Sequence, residues 1–184
     1  MKWIIDKQFD FCYGHRVWSQ ELNAEFSLDS CLACRHLHGH QGKIKIYLAS
    51  DTLANGMVTD FKHLNWFKEW LDNVLDHKFI IDKNDPLFFD LMSHYSKDEK
   101  FDESKFFYFD EGYWLCDLSY IQNKALIEKY EGMVVVDFVP TSENISAWLL
   151  EVARKKMIKL GIEVVCIEFW ETPKSHCRVE YSNI

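Results

Sequence analysis

Apolar and polar residues alternate along Trp3 to Val17, where Phe9, Phe11 and Tyr13 share one face and His15 continues it. The pattern predicts a strand with one buried face, followed by a loop through Asp29. A second strand is predicted over Gly39 to Ser50. There His38, His40, Ile44, Ile46 and Leu48 fall on one face, and Gln41, Lys43 and Lys45 on the other. Asn55-Gly56 marks a turn. From Asp60 to Leu75 the period changes to that of a helix, with Phe61, Leu64, Phe67, Leu71, Val74 and Leu75 on one stripe. A second helix has Thr141 or Ser142 as its cap, Glu143 in its first turn, and a stripe of Ile145, Trp148, Leu149 and Val152. Lys155, Lys156 and Lys159 suit the negative end of its dipole, and Gly161 is the stop. Two strands follow, Glu163 to Glu171 and His176 to Tyr181, joined around Pro173-Lys174-Ser175.

Lys83 to Gly132 interrupts this order of strand, strand, helix, helix, strand, strand. It holds eleven acidic and six basic residues, and twelve aromatics that include Phe106-Phe107-Tyr108-Phe109 and Tyr113-Trp114. Disordered linkers are poor in aromatics, because aromatic rings bury large areas. The expectation is one domain over residues 1–184 with a folded insertion at about 83–132.

Length and composition agree with a single globular core: 184 residues, 48 % hydrophobic and 27 % charged. A net charge of −8 with no basic run argues against a phosphate-tracking nucleic-acid binder. No apolar stretch approaches membrane-spanning length, and Met1 to Asp6 is too short for a signal-peptide core. The expected compartment is therefore the cytoplasm. There the six cysteines stay reduced, so metal or catalytic roles outrank disulfides.

The chemistry concentrates between Cys31 and His40. His38 and His40, two apart on a strand, project from one face, which is how one strand offers two ligands to a metal. Adding His15 makes three imidazoles with a position left open, the arrangement of a catalytic zinc site. Taken alone, His15 reads better as an ordinary hydrogen-bonded strand histidine, whereas the His38-Gly39-His40 pair beside Cys34 does not. Cys31-x-x-Cys34 with His38 and His40 spells a rival, a closed structural zinc staple in a binding module, although the pairs are nearly contiguous. Asp76-His77 follows the first helix; as an acid beside an imidazole it suits a proton relay, and as a helix-terminal histidine it needs no function. Glu171 ends the apolar face Val165, Ile167, Phe169, with Glu168 on the opposite face as its rival, and a solvated strand end accounts for either. His36, His63, His94 and His176, with Cys12, Cys116, Cys166 and Cys177, lack a second supporting feature.

Six short motifs together resemble the 6-pyruvoyl-tetrahydropterin synthase superfamily, in particular its bacterial 6-carboxy-5,6,7,8-tetrahydropterin synthase branch in queuosine biosynthesis. They are Phe11-Cys12-Tyr13-Gly14-His15-Arg16, Cys34-Arg35-His36-Leu37-His38-Gly39-His40, Gly56-Met57-Val58-Thr59-Asp60-Phe61, Leu75-Asp76-His77-Lys78, Pro140-Thr141-Ser142-Glu143-Asn144 and Trp170-Glu171-Thr172. The resemblance implies an α+β tunnelling fold: a four-stranded antiparallel sheet, two helices on one face, and here the insertion between the helices. It implies His15, His38 and His40 as ligands of Zn2+, Cys34 as catalytic acid or base, and Asp76 and His77 in the proton relay. Glu171 would anchor the pterin and share in the relay, with Thr141, Ser142 and Glu143 near the pterin pocket. It further implies a homohexamer of two trimers, a small-molecule pterin substrate, and neither nucleic acid nor membrane as partner. The reaction would turn 7,8-dihydroneopterin triphosphate into 6-carboxytetrahydropterin, acetaldehyde and triphosphate. The three residues between Cys34 and His38 resemble this branch, whereas the pyruvoyl-forming branch typically has a longer gap. One departure is the 62 residues between His77 and Pro140, where relatives usually have a short stretch. The aromatic content of this stretch would set it on the outside of the oligomer or over the active-site mouth.

Overall fold

The computed structural model describes residues 1–181. In chain order the strands and helices are β1 (Trp3–His15), β2 (His38–Ser50), α1 (Asn65–Val74), β3 (Lys78–Asp82), α2 (Phe88–Leu91), β4 (Ser96–Lys97), β5 (Lys100–Phe101), β6 (Phe106–Phe109), β7 (Tyr113–Cys116), α3 (Lys124–Glu131), β8 (Met133–Val136), α4 (Ser142–Met157), β9 (Glu163–Thr172) and β10 (Ser175–Glu180). The backbone divides into two compact units, each discontinuous in sequence. One takes Met1–Cys12, His40–Asp76 and the chain from Ser142; the other takes Tyr13–Gly39 and His77–Thr141.

In the first unit the strand order is β10-β9-β2-β1. β9 pairs antiparallel with β10 and with β2, and the register sets Phe169 opposite Ile44 and Ile167 opposite Ile46. Phe9, Phe11, Ile44, Ile46, Leu48, Ile167 and Phe169 are buried, which is the alternation expected of strands with one face inward. Phe67, Leu71 and Val74 form the buried stripe of α1. Phe67 meets Phe9 edge-on at 5.3 Å, and Trp70 meets Trp148 of α4 at 5.5 Å, so the two helices lie side by side over the apolar face. Phe61 departs from the predicted stripe: it sits on the 3-10 turn Phe61–Leu64, whose side chains follow a different period, and it is exposed. Gly161, at φ 67°, is the stop as expected, capping the 3-10 turn Ile158–Leu160 that follows α4.

In the second unit the end of β1 pairs with β3, and the order continues β1-β3-β8-β7-β6. Here the sheet differs in detail from the expected four antiparallel strands, because β1–β3 and β3–β8 are parallel pairs. Ile80, Ile81, Val134, Val135 and Val136 are all fully buried, and strands buried on both faces read as continuous apolar runs without alternation. The stretch that follows β3 has its own core. Phe88, Met92, Tyr95, Phe106, Trp114, Cys116, Ile121 and Tyr130 cluster on Ile81 and Val135. Burial pushes the Cys116 thiol up to about 12.

Candidate metal centre and active site

His15 ends β1 with no solvent exposure, and its Nδ1 lies 2.6 Å from the Pro140 carbonyl oxygen. A carbonyl only accepts, so Nδ1 carries the proton and donates, which leaves Nε2 with the ring's lone pair. His38 opens β2 and repeats the arrangement, with Nδ1 2.8 Å from the carbonyl oxygen of His36. The two rings stand 4.6 Å apart, and His40 follows two residues along the strand. Ligand-capable atoms of His15, His38 and His40 all lie within 4.8 Å of one another, so the three form a cluster that could hold a metal ion. A backbone carbonyl on the second ring nitrogen is the usual support of a metal-binding imidazole, since it fixes both tautomer and ring orientation. A neutral all-nitrogen donor set suits zinc. Gly39 makes the close approach possible: a Cβ there would stand 2.8 Å from the Tyr13 carbonyl oxygen.

Cys34 lies on a single 3-10 turn, Ala33–Arg35, and is partly exposed. Its carbonyl accepts from the Val17 N–H at 2.7 Å and its N–H donates to the Gln20 side-chain oxygen at 3.0 Å. Cys31 is exposed, with its N–H on Asp29. Neither cysteine belongs to the three-histidine group, which disfavours the structural staple of Cys31, Cys34, His38 and His40.

Asp76 and His77 stand past the end of α1, so helix geometry no longer separates them. The Asp76 carboxylate accepts the Cys12 N–H of β1 at 2.7 Å. His77 adopts a left-handed φ of 58° as the chain turns into β3. Such a conformation is uncommon for a residue with a Cβ and tends to mark functional sites.

Glu171 and Glu168 of β9 separate clearly. Glu171 lies on the face of Phe169 and brings Oε1 to 3.7 Å from His40 Nε2. Glu168, on the other face, accepts from Tyr47 Oη at 2.6 Å and Arg178 Nη1 at 2.7 Å. Partial burial works to raise the Glu168 pKa, but those two bonds outweigh it and hold the carboxylate below its usual range. Thr141 precedes the first residue of α4, Ser142, and Glu143 lies in that helix's first turn. Pro140, immediately before them, is the residue whose carbonyl holds His15. Sequence reasoning missed this carbonyl and the Gln20 amide, because a backbone acceptor and a loop glutamine leave no periodic trace. It missed too the buried ion pair of Arg16 with Asp85, 3.3 Å apart, which ties the residue after His15 to the stretch following β3.

Among the described residues no helix is long and apolar enough to cross a membrane. The chain is similar to 6-carboxy-5,6,7,8-tetrahydropterin synthase of Aquifex aeolicus, 32 % identical over 98 % of each chain. A crystal structure of an uncharacterized protein from Wolinella succinogenes has 54 % identity over 99 % of both chains, with a TM-score of 0.94. The 6-pyruvoyl tetrahydropterin synthase of Caenorhabditis elegans shares the tunnelling fold at 18 % identity and a TM-score of 0.57, over 99 % of this chain and 97 % of its own. Residues 4–182 match the family described as 6-pyruvoyl tetrahydropterin synthase, and the chain belongs to that family.

Proposed function

We propose that the chain is a zinc-dependent lyase, a 6-carboxy-5,6,7,8-tetrahydropterin synthase. It would convert 7,8-dihydroneopterin triphosphate and one water to 6-carboxytetrahydropterin, acetaldehyde and triphosphate, on the route to queuosine and related 7-deazapurines. The observation that carries the reading is the cluster of His15, His38 and His40, two of whose rings are set by backbone carbonyls. The name borne by the Aquifex aeolicus relative and the three-residue gap between Cys34 and His38 favour the carboxy-forming branch.

His15, His38 and His40 would hold the zinc, which would supply a Lewis acid for a substrate hydroxyl. Cys34 takes and returns the proton at the side-chain carbon, as thiolate and thiol in turn. Asp76 and His77 pass protons onward. Glu171 accepts N–H bonds from the amino-pyrimidine edge of the pterin. Thr141, Ser142 and Glu143 stand where α4 begins, near the pterin, at the positive end of the helix dipole. The protein works in the cytoplasm as a homohexamer of two trimers, each chain one pterin-synthase-like domain with the stretch at about 83–132 as an insertion.

Incubation of the zinc-loaded protein with dihydroneopterin triphosphate tests the assignment. Acetaldehyde and a 6-carboxy product are expected in equal amounts. A 6-pyruvoyl product without acetaldehyde would move the chain to the other branch, and no turnover by zinc-loaded protein would sink both.

A further inference from the structure

The turn that carries Cys34 has little to hold it. It is three residues long, no side chain caps it, and it stands in the stretch between β1 and β2, which contains no other regular element. A group that moves a proton must be kept within a fraction of an ångström of its target, and loops do this poorly unless polar contacts fix them.

Those contacts converge on Gln20. Its side-chain oxygen accepts the Cys34 N–H at 3.0 Å. Its own carbonyl accepts both Nε, at 2.9 Å, and Nη2 of Arg35, the fork geometry that makes guanidinium a rigid clamp. Its N–H donates to the Val17 carbonyl at 3.1 Å, and the Val17 N–H in turn donates to the Cys34 carbonyl at 2.7 Å. Both backbone groups of Cys34 are thereby used, and its side chain alone is left to vary. The frame closes on the histidines from both sides. Val17 stands two residues after His15, and His36, two residues after Cys34, supplies the carbonyl for His38 Nδ1.

We infer that Gln20 and Arg35 are positioning residues that set the Cys34 thiol against the His15–His38 end of the site. The inference rests on the reading of Cys34 as the proton-transfer group. Gln20 acts through one backbone bond and Arg35 through Gln20, so neither needs to touch substrate. A hydrogen-bond frame of this kind contributes to the rate by alignment, and its loss appears in kcat before it appears in binding.

The test compares Gln20→Leu, Arg35→Ala and Cys34→Ala in the full-length protein, each with bound zinc and Tm measured first. Gln20→Leu and Arg35→Ala are expected to lower kcat at least tenfold while KM, zinc content and Tm stay near wild type. Parallel losses of zinc and Tm would reduce the frame to ordinary loop stability and overturn the inference. A second readout is independent of turnover. Iodoacetamide labelling, resolved by peptide, should run severalfold faster at Cys34 in Gln20→Leu, with the exposed Cys12 as internal reference. Unchanged labelling together with unchanged kcat would also overturn it. Full activity in Cys34→Ala would instead defeat the proton-transfer reading itself, whatever the Gln20 variant does, so the two failures are distinguishable.

Discussion

The residues that the proposed chemistry needs are separated by their surroundings more than by their type. His15 and His38 are ordinary imidazoles made into directed donors by the carbonyls of Pro140 and His36. His38→Ala is therefore expected to weaken zinc binding by more than the roughly 10–100-fold that loss of a supporting partner costs. Cys34→Ala should keep one zinc per chain and lower kcat by roughly 10²–10⁴-fold. Metal analysis beside steady-state kinetics checks both, and release of the metal from Cys34→Ala would revive the structural staple. The remaining cysteines sort by burial. Burial raises Cys116 to about 12 and Cys166 to about 11, so both are thiols in the native protein at pH 8, while Cys12 and Cys31 are exposed. Thiol titration at pH 8 should reach Cys12 and Cys31 first and Cys116 and Cys166 only on unfolding. The stability linked to the buried pair is fully present below the ordinary thiol value of 9.0 and is lost as pH rises from there towards 12. A chemical-denaturation series from pH 8 to 10.5 should show the loss, and a flat profile would contradict the burial of these thiols.

At the scale of elements, legibility followed exposure. β1, β2, α1, α4, β9 and β10 each have one face inward and one outward, so burial leaves a period in the sequence that can be read. β3 and β8 are inward on both faces, and their short runs Phe79-Ile80-Ile81 and Val134-Val135-Val136 carry no period to separate strand from helix. The three-histidine cluster was legible for the same reason as the strands, since His15, His38 and His40 continue apolar faces. Glu171 was separable from Glu168 by alternation alone, but the partners that decide between them, Tyr47 and Arg178, come from other strands. Gln20 was not legible at all. Gly39 shows how tightly an element can constrain the site it carries. Gly39→Ala would push β2 away from the Tyr13 carbonyl, between the two histidines of the strand. The expected cost is about 1–3 kcal/mol in stability, the range for overpacking, together with weaker zinc binding. Thermal melting and chelator competition measure the two effects. A variant with wild-type affinity for zinc would show that the strand shifts without moving its histidines.

At the scale of the whole molecule, the long stretch after β3 is built into the second unit. Its aromatics close over Ile81 and Val135, neither of which has any solvent exposure. Removing residues 84–131 would open those two side chains to water at about 1.5–3 kcal/mol each. Domains are stable by only about 5–15 kcal/mol in total, so that exposure is a large share of what holds such a unit together. The buried Asp85, paired with Arg16 next to His15, would be lost with the same deletion, leaving the guanidinium inside without its carboxylate. Replacing residues 84–131 by a short Gly-Ser linker is therefore expected to unfold the second unit rather than trim an appendage. His15 and His38 belong to that unit, so the shortened chain should lose zinc along with its cooperative melt. Circular dichroism melting and metal content decide the matter. A shortened chain that melts as sharply as the intact protein and still holds one zinc would show that the stretch is a separable addition.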